Sequence, residues 1–254
     1  MKKKIIITSG PTNERIDSVM KITNMSTGAL GCVFAETFLE EKEEEIEKIF
    51  FISTKMAYKP RVKSHKIEIV IVESTQDLID ALEKIFKENK IDIMIHSAAV
   101  GDYAGKYSIR AEDLVDEIWE TIQNIPAKEI TKKKLMTIFE NPRVIADNSG
   151  KMSSYEPHLM TMFTLTPKVI GMIKKIAPDV KLVGFKLLDG VSKEKLIKVA
   201  TNLLEKNNTD YIVANDLSKI GGGKHWAMIV GKNGVVRECQ TKKDIAIAIE
   251  KLMF

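Results

Sequence analysis

The stretch Lys4-Ile5-Ile6-Ile7-Thr8, followed at once by Ser9-Gly10-Pro11, decides the fold class. A short apolar run that ends at a glycine–proline pair is typical of a buried strand and a tight turn. The chain is therefore expected to begin with a core strand, and the rest of the sequence tells us which kind of sheet this strand joins.

Strand and helix patterns alternate along most of the remaining chain. Further strands are predicted at 49–53, 67–72, 91–97, 180–185 and 210–215. Helices are predicted after Ser26, Ser74, Thr166, Ser192 and Thr241, and two of these starts have capping-box spacing, Ser74 with Asp77 and Thr241 with Asp244. This alternation predicts an α/β, Rossmann-like, mostly parallel sheet with helices on both faces. A C-terminal antiparallel hairpin is predicted at 226–238 around Lys232-Asn233-Gly234.

The middle of the chain, from about 104 to 162, has a different pattern. It contains Trp119 and three prolines and shows no clean period. A long irregular stretch inside a compact domain is usually a flap, a lid or an interface arm. We therefore predict a single nucleotide-binding α/β domain over 1–254, with an irregular central flap or dimerisation segment.

Composition and charge exclude several classes of protein. The 254 residues are 44% hydrophobic and 29% charged, as in an ordinary globular protein. The apolar run after Met1-Lys2-Lys3-Lys4 is too short for a signal peptide, and no run could span a bilayer. The prediction is a cytoplasmic protein without a membrane partner. A net charge of +4 suits anionic small molecules and does not indicate nucleic-acid binding.

Two loops at predicted strand ends could bind an anion. Ser9-Gly10-Pro11-Thr12 follows the first strand, and Asn24-Met25-Ser26-Thr27-Gly28 leads into a helix. Small residues before a helix leave backbone N–H groups facing a ligand, with help from the helix dipole. The alternative is a plain helix cap. A dinucleotide fingerprint is not present. A Walker A loop is not present either, because Gly221-Gly222-Gly223-Lys224 lacks the following Ser or Thr.

A third loop, Ser97-Ala98-Ala99-Val100-Gly101-Asp102-Tyr103, follows the fourth predicted strand. Small side chains let a ligand lie against the backbone, and Asp102 offers a carboxylate to an amine, a hydroxyl or a hydrated metal. A close-packed strand end with a capping aspartate is the alternative.

Read together, these segments resemble phosphopantothenoylcysteine synthetases in their stand-alone form. The resemblance rests on four blocks in the family's order: 8–28, Ala98-Ala99-Val100-Gly101-Asp102-Tyr103, Gly184-Phe185-Lys186-Leu187 and Asp210-Tyr211-Ile212-Val213-Ala214-Asn215-Asp216. The flavin-binding decarboxylase half of many bacterial fusions is not expected here, so no flavin is expected either.

The resemblance implies a two-step ligation in coenzyme A biosynthesis. The carboxylate of 4′-phosphopantothenate attacks the α-phosphate of a nucleoside triphosphate, and the amine of cysteine then attacks the acyl-nucleotidylate. We expect CTP rather than ATP, with Mg²⁺ held by the triphosphate and water and no protein metal site. A homodimer is expected from the family and from the irregular middle segment.

The resemblance also assigns roles to individual residues. Asn24 and Lys151 match catalytic positions of the family, Asn24 holding the acyl-nucleotidylate and Lys151 reaching the triphosphate. The substrate-binding positions are Asn24, Lys21, Ala98 and Ala99. The nucleotide-binding positions are Gly10, Thr12, Ser26, Thr27, Gly28, Ser97, Ala98, Ala99, Asp102, Lys151, Thr166, Pro167, Phe185 and Lys186. A solvated flap lysine is the alternative for Lys151.

The chain departs from the family pattern at three places. Met20 stands where an arginine often reaches phosphopantothenate, and Lys21 beside it is the candidate substitute, a point charge instead of a fork. Ser97 replaces a common asparagine. Leu203 and Asn207 stand where bacterial fusion enzymes carry basic residues.

Two other functions are compatible with the fold. A nicotinamide- or flavin-dependent oxidoreductase would need a Gly-x-Gly-x-x-Gly turn or a Tyr-x-x-x-Lys pair, and the sequence contains neither. A non-catalytic nucleotide sensor would bind CTP or ATP through the same loops without releasing pyrophosphate.

Overall fold

The computed structural model describes residues 2–254, and these form two compact units. The larger unit contains the chain up to Thr12 together with Asn24–Val100 and Lys168–Phe254. The smaller unit contains Asn13–Thr23 and Gly101–Pro167. That the whole chain is one domain stays a prediction.

The larger unit holds the α/β part of the chain. Its strands are β1 (Lys3–Ser9), β4 (Ile46–Ser53), β5 (Ile67–Ile71), β6 (Ile93–His96), β9 (Lys181–Leu188), β10 (Tyr211–Gly221), β11 (Lys224–Gly231) and β12 (Gly234–Cys239). Its helices are α1 (Ala29–Lys42), α2 (Thr75–Glu88), α5 (Ile170–Ile176), α6 (Lys193–Asn207) and α7 (Lys242–Met253). A 3₁₀ turn, Glu43–Glu45, follows α1.

These strands form an eight-stranded sheet in the order β12-β11-β10-β9-β6-β1-β4-β5. The six neighbouring strands from β10 to β5 in this list run parallel to one another. β11 pairs antiparallel with β10, and β12 pairs antiparallel with β11. The structure therefore confirms the mostly parallel sheet and the antiparallel C-terminal hairpin.

The alternation of side chains along β1 separates two core layers. Ile5 and Ile7 lie in one buried cluster with residues of α1 and α7, while Ile6 lies in another with residues of α2 and α5. All three isoleucines are fully buried, so truncating one to alanine would cost about 2–5 kcal/mol. Helices therefore cover both faces of the sheet, as predicted.

Local sequence signals mark the starts of several helices. Both predicted capping boxes are present, Ser74 with Asp77 on α2 and Thr241 with Asp244 on α7. One predicted start is corrected: α5 begins at Ile170 and not at Thr166-Pro167. The strand before it continues to Leu165, and a capping side chain is absent at this start, so the proline marks the connection and not the first turn.

The two ends of the larger unit meet at the edge of the sheet where β1 begins. The ammonium group of Lys3 donates to the backbone oxygen of Phe254 at 3.1 Å and lies 4.2 Å from the centre of its ring. The start of β1 and the end of α7 are therefore neighbours.

The smaller unit corrects the expectation of an irregular segment at 104–162. It contains β2 (Asn13–Arg15), β3 (Lys21–Thr23), β7 (Tyr103–Arg110), α3 (Ala111–Gln123), α4 (Lys132–Glu140) and β8 (Leu159–Leu165). β2 pairs with β3, and β7 pairs with β8, both antiparallel. The partners β7 and β8 are distant in sequence, so no local turn signal announces them. Residues 141–158 lack helix and strand, which leaves the expectation valid for that part alone.

A helix that crosses a lipid bilayer needs about 20 mostly apolar residues. Within residues 2–254, none of the helices has the length and apolar character needed to cross it.

Candidate functional site

The strand order places a topological switch point between β1 and β6. From β1 the chain moves outward through β4 to β5, and it then returns to the other side of β1 to form β6. In open α/β sheets, ligands bind in the crevice at the carboxyl ends of the two strands where this reversal occurs. We call residues 8–12 and 97–100 the switch-point edge.

Backbone bonds hold the two halves of the switch-point edge together. Ala99 donates its N–H to the carbonyl oxygen of Gly10 at 2.9 Å, and Thr12 donates to the carbonyl oxygen of Ala99 at 3.3 Å. Pro11 and Ala99 form an isolated parallel bridge. The small residues at 97–99 are half-buried. A ligand at this edge would therefore meet a fixed backbone surface.

Glycines at this edge allow close approaches that a side chain would block. Gly10 has φ +78°, and a Cβ there would lie 2.5 Å from the Cβ of Ala57. Gly28 has φ +79°, and its carbonyl oxygen accepts from the hydroxyl of Ser9 at 2.8 Å. In both cases the left-handed backbone and the lack of space favour glycine.

A buried pair lies directly beneath the edge. Thr8 Oγ1 is 2.9 Å from His96 Nδ1, and it accepts from the N–H of Ala98 at 3.2 Å. The Ser97 hydroxyl donates to the carbonyl oxygen of Thr8 at 2.7 Å. Burial lowers the pKa of His96 to about 4, because the charged ring would lose its water. His96 is therefore neutral near pH 7 and serves to hold the start of the 97–100 loop.

Asn24 reaches the same loop from the other side. Its side-chain nitrogen donates to the carbonyl oxygens of Ala99 at 3.1 Å and Val100 at 3.2 Å. The side chain is exposed, and Ser26 closes a turn behind it through a bond from its N–H to the Asn24 carbonyl oxygen at 2.9 Å. The structure therefore brings Asn24, Ala99 and the switch-point edge together.

The helix α1 begins beside these residues. Its N-cap is Gly28, which has no side chain to offer as a cap. The Thr27 hydroxyl lies 3.4 Å from the N–H of Ala29, and the Thr27 carbonyl oxygen accepts from Tyr58 at 2.9 Å. The first N–H groups of a helix lack acceptors within the helix and favour negative charge. A phosphate is the chemical group that such an N-terminus suits best.

Phe185 and Lys186 lie on β9, the neighbour of β6. The ring of Phe185 is half-buried and meets the ring of Phe34 edge-on, with 5.8 Å between centroids. The adjacent Gly184 gives space to Ile170 and Ile212, whose Cδ1 atoms would lie within 2.8 Å of an added Cβ. Packing accounts for much of this block, and a contact between Phe185 and a nucleotide base stays a prediction.

Four further candidates lie in the smaller unit. The N–H of Thr166 donates to the carbonyl oxygen of Asp102 at 3.0 Å, and its hydroxyl bonds to the carbonyl oxygen of Gly101. Asp102 is exposed, whereas Thr166 is buried. Pro167, next to it, is exposed, and Lys21 is exposed at the start of β3. The structure thus joins Asp102 and Thr166, and the roles of all four stay predictions.

Lys151 lies in an irregular segment, 147–155, that we call the lysine loop. Its side chain is exposed, while the next residue, Met152, is buried. The loop is attached to the β2–β3 turn, because Met152 donates its N–H to Asp17 Oδ2 at 3.1 Å. Sequence reasoning gave Asp17 no role, although an aspartate two residues before a chain reversal is a known turn signal.

A protein metal site needs several coordinating side chains close together. Within residues 2–254, no group of three or more His, Cys, Asp or Glu side chains is arranged to hold a metal ion. The two cysteines, Cys32 and Cys239, are both buried, and burial raises the pKa of each thiol. Neither is therefore poised as a thiolate.

The chain matches a known family at its N-terminal side. The sequence pattern of the "DNA/pantothenate metabolism flavoprotein C-terminal domain" matches residues 1–112. This region contains the whole switch-point edge, Asn24 and all of α1.

Curated relatives are similar over nearly the whole chain. A coenzyme A biosynthesis bifunctional protein, CoaBC, of Thermococcus kodakarensis is 29% identical over 245 residues, which are 96% of this chain and 49% of that protein. The CoaBC protein of Methanocaldococcus jannaschii is 28% identical over 96% of this chain and 48% of its own length. The chain therefore spans about half the length of the curated relatives it matches.

Solved structures have the same fold. A Cab2 variant in complex with phosphopantothenate-cysteine is 16% identical, with a TM-score of 0.63, and the match covers 99% of this chain and 87% of that one. The crystal structure of the DNA/pantothenate metabolism flavoprotein from Streptococcus pneumoniae is 32% identical, with a TM-score of 0.78, and the match covers 99% of this chain and 98% of that one. With this identity over nearly the full length of both chains, the protein belongs to the DNA/pantothenate metabolism flavoprotein family, in the part formed by its C-terminal domain.

Proposed function

We propose that the chain is a cytoplasmic phosphopantothenate–cysteine ligase that works through an acyl-nucleotidylate, with CTP favoured over ATP. The observation that carries the proposal is the position of Asn24, whose amide bonds to the Ala99 and Val100 carbonyl oxygens at the switch point. The first turn of α1 starts a few residues later, at Ala29. Amide groups and helix N–H groups together suit a substrate that combines an acyl group with a phosphate.

The reaction needs positioning and charge stabilisation more than a covalent nucleophile. In the first step, a carboxylate oxygen of 4′-phosphopantothenate forms a bond to the α-phosphorus, and pyrophosphate leaves. In the second step, the amine of cysteine forms a bond to the acyl carbon, loses a proton, and displaces the nucleoside monophosphate. Fixed dipoles that face the developing negative charge can supply most of the catalysis.

The switch-point edge would orient the mixed anhydride. Gly10, Gly28 and the N–H groups at the start of α1 would face phosphate oxygens, with Thr12, Ser26 and Thr27 around them. In the structure the Asn24 amide donates to two carbonyl oxygens. Binding of the acyl-nucleotidylate would replace one of these bonds, so that Asn24 donates to the substrate while it still holds the loop.

The remaining candidates would bind the nucleotide and the second substrate. Lys151 would neutralise charge on the triphosphate, and Phe185 would pack near the base. We place Ser97, Ala98, Asp102, Thr166, Pro167 and Lys186 along the nucleotide, and Lys21 on phosphopantothenate in place of the arginine that Met20 replaces.

Known proteins support the same reaction. The curated relatives are named as bifunctional proteins of coenzyme A biosynthesis, and the Cab2 structure holds phosphopantothenate-cysteine. Since this chain corresponds to about half of those relatives, we propose that it carries the ligase half of their chemistry.

Mg²⁺ would enter with the nucleotide. Because residues 2–254 contain no ready-made cluster of metal ligands, the ion would be held by phosphate oxygens and water. It would supply charge neutralisation on the triphosphate. We also propose a homodimer, and light scattering that gives the mass of a monomer at working concentration would contradict this.

Pyrophosphate release tests the proposed reaction. The purified chain is given Mg²⁺, 4′-phosphopantothenate and either CTP or ATP, with and without cysteine. Release that depends on phosphopantothenate, with amide product only when cysteine is added, is the expected result. Asn24→Ala is expected to lower the rate about a hundredfold or more, the usual effect of removing a donor to developing charge.

Each other outcome corrects a stated part of the proposal. Equal or faster turnover with ATP would contradict the preference for CTP and keep the reaction. Tight nucleotide binding without pyrophosphate release, with either nucleotide, would replace the ligase by a nucleotide sensor.

A further inference from the structure

One buried carboxylate in the smaller unit joins two segments that are far apart in the sequence. Asp17 lies in the β2–β3 turn and is 4% exposed. Its Oδ1 accepts from the N–H groups of Val19 at 2.7 Å and Met20 at 2.6 Å. Its Oδ2 accepts from the N–H of Met152, 135 residues away, at 3.1 Å. The two oxygens therefore have different tasks, one local and one long-range.

Two hydrogen bonds hold the residues on either side of Lys151. The carbonyl oxygen of Gly150, on one side of the lysine, accepts from the N–H of Ser18 at 3.4 Å. The N–H of Met152, on the other side, donates to Asp17. Met152 is also buried, at 7% exposure. The backbone of Lys151 is thus fixed on both sides while its side chain stays exposed.

The charge state of Asp17 strengthens this attachment. Hydrogen bonds from Met20, Val19 and Met152 lower the pKa of the carboxyl, so it is ionised at neutral pH. An ionised acceptor forms stronger hydrogen bonds than a neutral one. The turn is closed by the Oδ1 bonds and by backbone bonds to the Met20 carbonyl oxygen, so the bond from Oδ2 to Met152 serves a different segment.

We propose that Asp17 is a positioning residue that acts through Lys151, by fixing the lysine loop so that the ammonium group is presented to the nucleotide. The proposal rests on the ligase function proposed above. Fixing the backbone of a long, flexible side chain reduces the conformational freedom lost when the lysine meets the triphosphate. Removing the attachment should therefore slow the nucleotide-dependent step while leaving the fold in place.

Two variants separate the local bonds from the long-range bond. Asp17→Asn keeps a carbonyl oxygen for Val19 and Met20 but turns an NH₂ group toward the N–H of Met152, where no bond can form. Asp17→Ser keeps a short acceptor for the turn and does not reach Met152. The control is Asp147→Asn, because Asp147 accepts locally from the N–H of Ser149 at 2.9 Å and is close to Lys151 in sequence.

Trypsin measures the attachment directly, because it cleaves after lysine. We expect cleavage between Lys151 and Met152 to become roughly five- to tenfold faster in Asp17→Asn and Asp17→Ser, the factor that corresponds to one lost hydrogen bond. Asp147→Asn should be cleaved there at the wild-type rate. Unchanged cleavage in both Asp17 variants would show that Asp17 does not hold the lysine loop in place, whether or not the chain is a ligase.

Kinetics then test the link to Lys151. Asp17→Asn is expected to lower the rate of pyrophosphate release roughly tenfold, and to have less than about a twofold effect in a Lys151→Ala background. If Asp17 had a purely structural role, the rate losses caused by Asp17→Asn and Lys151→Ala would multiply in the double variant. This result would overturn the positioning role. If the wild type released no pyrophosphate, the ligase proposal would fail, while the trypsin result would still decide the attachment.

Discussion

The switch-point edge of the larger unit and the lysine loop of the smaller unit carry candidate residues by different means. At the switch-point edge, backbone-to-backbone bonds, glycines in close contact and the buried Thr8 side chain together hold the two segments. In the lysine loop, one carboxylate and one backbone bond do so. The first region is built into its sheet, whereas the second is held to the β2–β3 turn of its own unit by two hydrogen bonds and is therefore easier to release.

The largest expected effect contrasts two glycines. Gly10→Ala should destabilise the protein by about 4 kcal/mol, because the new Cβ meets Ala57 and the backbone is left-handed. Gly150→Ala, beside Lys151, meets nothing within 4 Å and should change stability by less than about 0.5 kcal/mol. Denaturant unfolding measures both, and equal losses would mean that the two regions are equally packed.

Acid should weaken the larger unit through His96. Its folded pKa of about 4 lies below the usual 6.5, so the unfolded chain takes up a proton first as the pH falls. The stability it contributes is full above pH 6.5 and is lost progressively down to about pH 4, on the order of 3 kcal/mol in total. The free energy of unfolding of His96→Gln should therefore vary less with pH.

His225 also makes the free energy of unfolding depend on pH, because burial lowers its pKa to about 4 as well. A residual slope is therefore expected in His96→Gln. Identical slopes for the wild type and the variant would show that His96 protonates as easily in the folded protein as in the unfolded chain.

A third contrast concerns buried hydroxyls. Thr8→Val removes the acceptor of the Ala98 N–H and the partner of His96, so it should cost about 2 kcal/mol. Ser108→Ala removes a single bond to the Thr161 hydroxyl in the smaller unit and should cost about 1 kcal/mol. Hydrogen exchange of the 97–100 amides should rise in the first variant alone.

The smallest expected effects compare helix caps. Ser74 forms a reciprocal capping box with Asp77 on α2, whereas Thr131 caps α4 through one bond to the N–H of Lys134. Ser74→Ala should cost about 1 kcal/mol and Thr131→Ala about 0.5 kcal/mol. Thermal unfolding of the two variants compares them, and a larger loss for Thr131→Ala would reverse the order.

Sequence patterns predicted the larger unit well because its signals are local. The isoleucine run before Ser9-Gly10-Pro11 becomes β1, and both capping boxes begin helices where spacing placed them. The smaller unit escaped prediction because β7 finds its partner β8 about fifty residues later, across two helices. Non-local pairing leaves no short-range mark in the sequence.

The candidate site was predicted in part. Small residues at the ends of β1 and β6 indicated the switch-point edge, and parallel strands necessarily bring those ends together. The supporting contacts escaped prediction. Thr8 with His96, and Asp17 with Met152, join residues 88 and 135 positions apart through side chains that are common in any sequence.

The contact between Lys3 and Phe254 separates anchoring from binding along a single strand of the larger unit. Both residues lie where β1 begins, and the seven residues of β1 separate this contact from the switch point by about 20 Å. The end of α7 is therefore secured at one end of β1, while the other end of the strand faces the candidate ligand crevice.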